Sequence, residues 1–284
     1  MKKFAVLGMD VEDWYHLDYF DKEECDATQS TMDGLDIYLD ILEKYQIKST
    51  FFVVGELVEK YKDQLSRIIS RGHEIALHSY SHKRPLSMSL EEFKEDTIKG
   101  LSVIERELNI KPQGYRAPCF SLDRERLNIL EEMGFVYDSS KIKFDAHDLY
   151  GRIDLSDFKN ITSDIYEKNG FKEFEASTVN IFGKNIPISG GGYLRIFPWR
   201  LTKILLKKYF KQNGNYFFYI HPFEFSENYD IKEPVGTDFK TKLRFRLGRK
   251  SVSVKMEKLI ELLKKNGYHF VTFNEIININ KIGK

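Results

Sequence analysis

Gly72-His73-Glu74-Ile75-Ala76-Leu77-His78-Ser79-Tyr80-Ser81-His82 is the stretch whose pattern decides the fold. The apolar residues before it, Leu57, Tyr61, Leu65 and Ile68, recur at helical spacing, and Gly72 is a suitable helix stop. Glu74 to Leu77 then reads as a short buried strand, so His78 and His82 emerge at its C-terminal end. Two imidazoles four residues apart can reach one metal ion, from a helix face or around a strand-to-loop turn. The glycine stop favours the turn. The pair alone is weak support, because solvated histidines are common.

Working towards the N-terminus, Ser49 to Val54 is β-branched and aromatic, a second strand. Leu35, Tyr38, Leu42 and Tyr45 share a helical face before it. Phe4 to Met9 is an apolar run that ends in Asp10-Val11-Glu12-Asp13, a strand that delivers carboxylates at its C-terminal end. Towards the C-terminus, Ser89-Leu-Glu-Glu92 is a capping box. It opens a helix with the stripe Leu90, Phe93, Thr97, Leu101, Ile104 and Leu108. Gln113 to Arg116 is a short strand cut off by Ala117-Pro118. Leu127, Leu130 and Met133 mark a helix stopped at Gly134, and Phe135 to Asp138 a further strand. This alternation predicts an α/β fold of parallel βα units.

From Ser139 to about Ser189 the periodicity dissolves, which predicts a loop-rich insertion with a few short strands. Gly190 to Gly192 reads as a turn, since it lacks the Lys-Ser/Thr of a phosphate cradle. Pro198 sits at the start of a helix carrying Leu201, Leu205 and Tyr209. Tyr216 to Ile220 is an apolar strand ending at His221. Glu227 to Lys250 reads as an exposed loop, with a lipid-headgroup or anionic-glycan contact at Lys240 to Lys250 as the minority alternative. A last helix around Met256, Leu259, Ile260 and Leu263 leads into Tyr268 to Phe273. With no linker or repeat, the expectation is one domain over 1–284. Core units occupy 1–138, the insertion about 139–189, and closing units 190–275.

The 44 basic and 43 acidic side chains leave a net charge of +1, which gives no reason to expect nucleic acid or another polyanion as partner. Two cysteines, Cys25 and Cys119, exclude a disulfide framework and fit a reducing compartment. The N-terminal apolar run is too short for a secretory signal, and no stretch is long enough to span a bilayer. A soluble, cytoplasmic protein is expected, with peripheral membrane contact as the alternative; the sequence does not reach its oligomeric state.

Four polar groups therefore stand at strand ends: the acids 10–13, His78 with His82, Arg116, and His221. In a βα barrel those ends form one rim, so residues distant in sequence become neighbours. Two histidines and a carboxylate leave open positions on a zinc ion, where water becomes acidic. A second carboxylate can take that proton, another histidine can protonate a leaving group, and an arginine can hold the base ionised through a bidentate contact. These parts suit metal-assisted hydrolysis of an amide or ester. Taken singly, each has a plainer explanation as a cap, a surface ion pair or a packed core histidine. His16, His73, His147 and His269 are left to such roles.

The residues also resemble the polysaccharide deacetylases, the NodB-type carbohydrate esterases of family 4, over nearly the whole chain. Asp10-Val-Glu-Asp13 stands at that family's Asp-Asp motif, and His78-Ser-Tyr-Ser-His82 at its His-Ser/Thr-x-x-His. Gly114-Tyr-Arg-Ala-Pro118 matches its Arg-x-Pro motif, Tyr219-Ile-His221 its Leu-x-His, and Phe52-Val-Val-Gly55 its second strand. Asp-Val-Glu-Asp-Trp, Tyr-Asp-Ser-Ser (137–140), Gly-Gly-Tyr-Leu-Arg (191–195) and His-Pro-Phe-Glu (221–224) resemble the branch associated with exopolysaccharide and lipopolysaccharide clusters.

The resemblance implies a distorted (β/α)7 barrel and removal of an N-acetyl group from an amino sugar; the cytoplasmic expectation favours a nucleotide- or lipid-linked sugar over a finished extracellular polymer. It implies Asp10 as general base held by Arg116, and His221 as general acid tuned by Asp138. The backbone N–H of Cys119 would be an oxyanion donor, where most members carry Tyr. His78, His82 and a carboxylate would hold a divalent transition metal, zinc by default, with Co2+, Ni2+ or Mn2+ suited to the same ligands. The family's paired Asp is here Asp-x-Glu-Asp, so the carboxylate is open. On a regular strand Glu12 shares the face of Asp10, whereas a turn after Val11 favours Asp13, the side to which the reading leans. Trp14, Tyr193 and Arg195 are expected to contact the sugar. The competing functions are a metal-free or metal-dependent hydrolase of small amides or cyclic amides, and a catalytically inactive glycan-binding module.

Overall fold

A computed structural model of the chain describes residues 2–144, 149–212 and 214–282. Its first strand, β1 (Lys3–Val11), is buried from Ala5 onward, which accounts for an apolar run without alternation: both faces are covered. Around it the chain alternates as expected. α1 (Asp33–Tyr45), β2 (Thr50–Val53), α2 (Lys62–Ser70) and β3 (Glu74–Leu77) are followed by α3 (Leu90–Leu108), β4 (Gly114–Tyr115), α4 (Arg124–Glu132) and β5 (Tyr137–Ile142). The capping box that opens α3 is present, Ser89 Oγ accepting from the Glu92 N–H and Glu92 from that of Ser89.

The stretch expected to be an irregular insertion is mostly strand. β6 (Lys159–Thr162), β7 (Ile165–Lys168) and β8 (Phe171–Ala176) are followed by the hairpin β9 (Thr178–Ile181) and β10 (Lys184–Pro187). The reason it looked irregular lies in β8, whose charged Lys172, Glu173 and Glu175 are buried rather than solvated. Glu173 accepts the Ser140 and Lys141 N–H groups, and Lys172 and Glu175 pair with Glu167 and Lys143 at 3.1 and 2.9 Å.

Then follow α5 (Gly191–Ile196), α6 (Trp199–Phe210), β11 (Tyr216–Ile220), α7 (Pro222–Phe225), α8 (Phe239–Arg246), α9 (Arg249–Lys265), β12 (Tyr268–Phe270) and α10 (Phe273–Ile282). Two further expectations are corrected here. Of the turn expected at Gly190 to Gly192, Gly190 caps α5 and Gly191 and Gly192 are its first helical residues, and the polar stretch from Glu227 to Lys250 contains α8, capped by Asp238.

The strand order is β11-β1-β2-β3-β4-β5-β8-β7-β6, with β12 also paired to β1. The members from β11 to β8 run parallel, and β7 and β6 extend them antiparallel. The sheet curls until its ends meet: the Ser177 N–H, just past β8, donates to Phe217 O of β11 at 3.2 Å. This is the distorted seven-stranded α/β barrel expected from the sequence, and the C-terminal strand ends form one rim.

Candidate active site

At that rim the end of β1 turns sharply. The Glu12 N–H donates to Asp10 O at 3.0 Å, so two acids that follow one another point to different places. Asp13, the favoured ligand from sequence, does not face the site. It caps the short helical turn Trp14–His16 and accepts from the Trp14 N–H, the Thr31 N–H and hydroxyl, Ser30 and Tyr61. A carboxylate so fully occupied has no lone pair left for a cation, and the assignment moves to Glu12.

Glu12 Oε2 is buried and lacks a hydrogen-bond donor. It lies against His82 Nε2 and 3.9 Å from His78 Nε2, and one ligand atom from each residue falls within 4.8 Å of the others. His78 Nδ1 contacts Arg116 O at 2.7 Å, which fixes the tautomer by donation and leaves Nε2 as the electron-pair donor. Burial lowers His78 to about 4, so it stays neutral, as a ligand must. Burial raises Glu12, but His82, His221 and His78 outweigh it and hold the carboxyl well below its ordinary range. A negative carboxylate, an uncharged imidazole and an adjacent second imidazole, with a buried oxygen lacking a donor, fit a divalent transition metal.

The loop carrying His82 bends through left-handed backbone at Ser79 (φ 61°) and His82 itself (φ 59°). It is pinned by Asp96 of α3, which accepts from the Tyr80 and Ser81 N–H groups at 2.8 and 3.1 Å, while Ser79 Oγ accepts the His82 N–H. Asp96 went unnoticed in the sequence because it occupies an ordinary polar position of an amphipathic helix.

Arg116 and Asp10 meet as expected, but through one bond: Nη1 donates to Asp10 Oδ1 at 2.7 Å. Nε and Nη2 are spent on Ser139 O and Oγ, and the guanidinium lies over the Phe52 ring at 3.9 Å. A Cβ at Gly8 would come within 3.1 Å of Nη1 and 3.0 Å of Phe218 O, so the glycine in β1 gives the arginine room.

His221 Nε2 sits 3.9 Å from Asp10 Oδ2 and 3.5 Å from Glu12 Oε1. Its other nitrogen faces Glu224 Oε2 at 3.3 Å, not Asp138. Asp138 accepts instead from the Ser140 N–H and hydroxyl, and burial raises it to about 6. It shapes the turn that supports Arg116 and has no contact with His221. Glu224 is held in turn by Arg195 Nε at 3.2 Å. Burial lowers His221, but Glu12, Glu224 and Asp10 raise it to about 9. A Cβ on Gly191 would fall 1.9 Å from Glu224 Oε2, which explains this one glycine of the cluster as room for the carboxylate.

Asp10, Glu12, His78, His82, His221 and Glu224 line a cavity of about 290 Å³, walled by Leu17, Tyr19, Phe120, Tyr193 and Phe197 among others. Cys119 and Tyr193 are in the wall. Trp14 is not: it is fully buried against Phe20 and Phe245, and its Nε1–H donates to Gln29 O, so it cannot stack on a sugar. Arg195 borders the cavity; its Nε is held by Glu224 and its Nη1 by the Phe245 and Leu247 carbonyls, while Nη2 has no hydrogen-bond partner among the described residues. Of the histidines left to plain roles, buried His16 bonds to Glu56, His73 packs on Phe51, and His269 is exposed. His147 lies outside the described residues.

Comparison with known proteins bears on the family and the fold. Residues 20–137 match the polysaccharide deacetylase family model, and residues 139–278 match a model described only as a domain of unknown function. A peptidoglycan deacetylase of Helicobacter pylori is 26% identical over 251 residues, 86% of this chain and 82% of that protein. A peptidoglycan-N-acetylglucosamine deacetylase of Bacillus cereus is 27% identical over 131 residues, 46% of this chain and 44% of its own length. Among solved structures, a Mycobacterium smegmatis protein assigned to the polysaccharide deacetylases superposes over 99% of this chain and 91% of its own. Its TM-score is 0.66 and its identity 16%. A Bacillus anthracis pseudoenzyme of carbohydrate esterase family 4 shares the fold as well, with TM-score 0.55 and 16% identity over 97% of this chain and 66% of that one. Fold alone thus does not separate active from inactive relatives; the residues at the rim must. By the sequence matches, residues 20–137 of the chain are similar to the polysaccharide deacetylases, and the named relatives are amide hydrolases.

Proposed function

We propose that the protein is a metal-dependent N-deacetylase of an amino sugar, acting in the biosynthesis of a surface polysaccharide or lipopolysaccharide. The observation that carries this reading is one cavity in which the Glu12, His78 and His82 cluster meets Asp10, held from behind by Arg116, and the His221–Glu224 pair. A divalent cation held by Glu12, His78 and His82, zinc by default, would polarise the acetyl carbonyl and acidify water beside it. Asp10, steered by Arg116, takes the proton of the water that adds to the acetyl carbon. His221 Nε2 gives a proton to the amine nitrogen as the C–N bond breaks, releasing acetate and a free amino sugar. The Cys119 N–H is the proposed donor to the carbonyl oxygen, and Tyr193 a wall for the sugar. The thiols Cys25 and Cys119 are both free, which suits the reducing cytoplasm.

Acetate release from N-acetylated amino sugars tests the reading. The wild type should turn over at least one of them, and Asp10→Asn should lose roughly 100-fold or more in kcat. Release of ammonia from small cyclic amides, with no acetate from any sugar, would favour an amidase of another substrate class.

A further inference from the structure

α8 carries a two-faced surface that the hydrolase reading does not use. Phe245 points inward, 1% exposed, against Phe20, Phe223 and Trp14. Phe239 and Leu243, four residues apart, and Leu247, the residue that ends the helix, face the other way at 77%, 46% and 43% exposure. At about 100° per residue these fall in one stripe. Lys240 and Arg244 lie along one flank of it, Lys242 and Arg246 along the other. Among the described residues, only Arg246 of the four is held by a carboxylate, Glu233. From Phe239 to Met256 the sequence has seven basic residues and no acidic one, in a chain whose net charge is +1.

The stripe continues towards the cavity. Arg244 lies over Tyr19, and both line its wall. Ile196 also borders the cavity and is 40% exposed; it sits between Arg195 and Phe197, whose carbonyls accept from Lys255. Val254, 55% exposed, precedes that lysine. An exposed apolar stripe flanked by cations on both sides is the pattern of a helix lying in the headgroup region of an anionic bilayer, apolar residues down and cations against phosphates. We propose that α8 docks this protein on anionic lipid membranes and sets the mouth of the cavity at the bilayer surface. The charges select the occupant: an apolar protein partner would not need cations on both flanks, and a soluble polyanion would not need Phe239 and Leu243 in solvent. The proposal rests on this face and not on the catalytic reading, so Asp10→Asn should bind membranes as the wild type does.

Flotation of the full chain with phosphatidylcholine vesicles and with mixed phosphatidylcholine–phosphatidylglycerol vesicles tests it. The wild type should float with the mixed vesicles only. Phe239→Ser/Leu243→Ser and Lys240→Glu/Lys242→Glu should each lower partitioning roughly tenfold or more, with unfolding temperatures kept near the wild-type value. Absence of wild-type flotation overturns the proposal. So does undiminished flotation of the serine variant, which would mean simple adsorption of a basic patch to a polyanion. A dimer in sedimentation that the serine variant disperses, without vesicle binding, would assign the stripe to a second copy instead.

Discussion

At the scale of single residues, the site depends on which of two neighbouring carboxylates faces the rim. Glu12 and Asp13 are chemically equivalent as ligands, and only the turn after β1 separates them: Asp13 is consumed as a cap while Glu12 Oε2 lacks a donor. The same logic singles out Glu224. It holds the ring of His221 from behind, with Arg195 fixing its own position. Glu224→Gln keeps the shape but not the charge, so kcat should fall roughly tenfold or more while KM changes little. A rise in KM with unchanged kcat would show that Glu224 serves binding instead. His78, Arg116 and His221 were legible as residues because each follows directly on a strand, and His82 by its spacing of four from His78. Glu224 was quoted in a motif, yet its role was not legible: three positions beyond His221, it acts through a short helix that sequence periodicity cannot resolve.

At the scale of elements, the His78–His82 loop is stable because α3 reaches over it. Asp96 accepts the Tyr80 and Ser81 N–H groups and the Ser81 hydroxyl, and it offsets the left-handed backbone at Ser79 and His82. Asp96→Ala should therefore weaken cation affinity by roughly 10- to 100-fold without touching a ligand, measured by titration calorimetry; unchanged affinity would show that the loop holds itself. Elements with a clean period, such as α3 and β3, were readable from sequence. β8 was not, since its buried charges pair with neighbours in sequence-distant segments. α8 was not either, because one inward aromatic and a cap do most of the anchoring and leave a polar pattern behind.

At the scale of the whole molecule, the two halves share one sheet, the β9–β10 hairpin apart, with β11 from the second half paired to β1 from the first. We propose on that ground that the chain unfolds as one unit, in a single transition. His73 supplies a pH test away from the site. Burial, with Lys48 and Arg71 nearby, lowers it from 6.5 to about 4. The unfolded chain therefore binds this proton first, and the stability that His73 contributes is present above pH 6.5 and lost as pH falls towards 4. Thermal unfolding should show a smaller loss across that window in His73→Asn than in the wild type; equal losses would place the pH dependence elsewhere. The central claim, however, is that Glu12, His78 and His82 make a metal site. Metal content of the purified protein by mass spectrometry tests it most directly. About one divalent transition metal per chain in the wild type, lost in His78→Ala/His82→Ala, is the predicted result. A wild type that takes up no zinc, cobalt, nickel or manganese even when soaked would contradict the account.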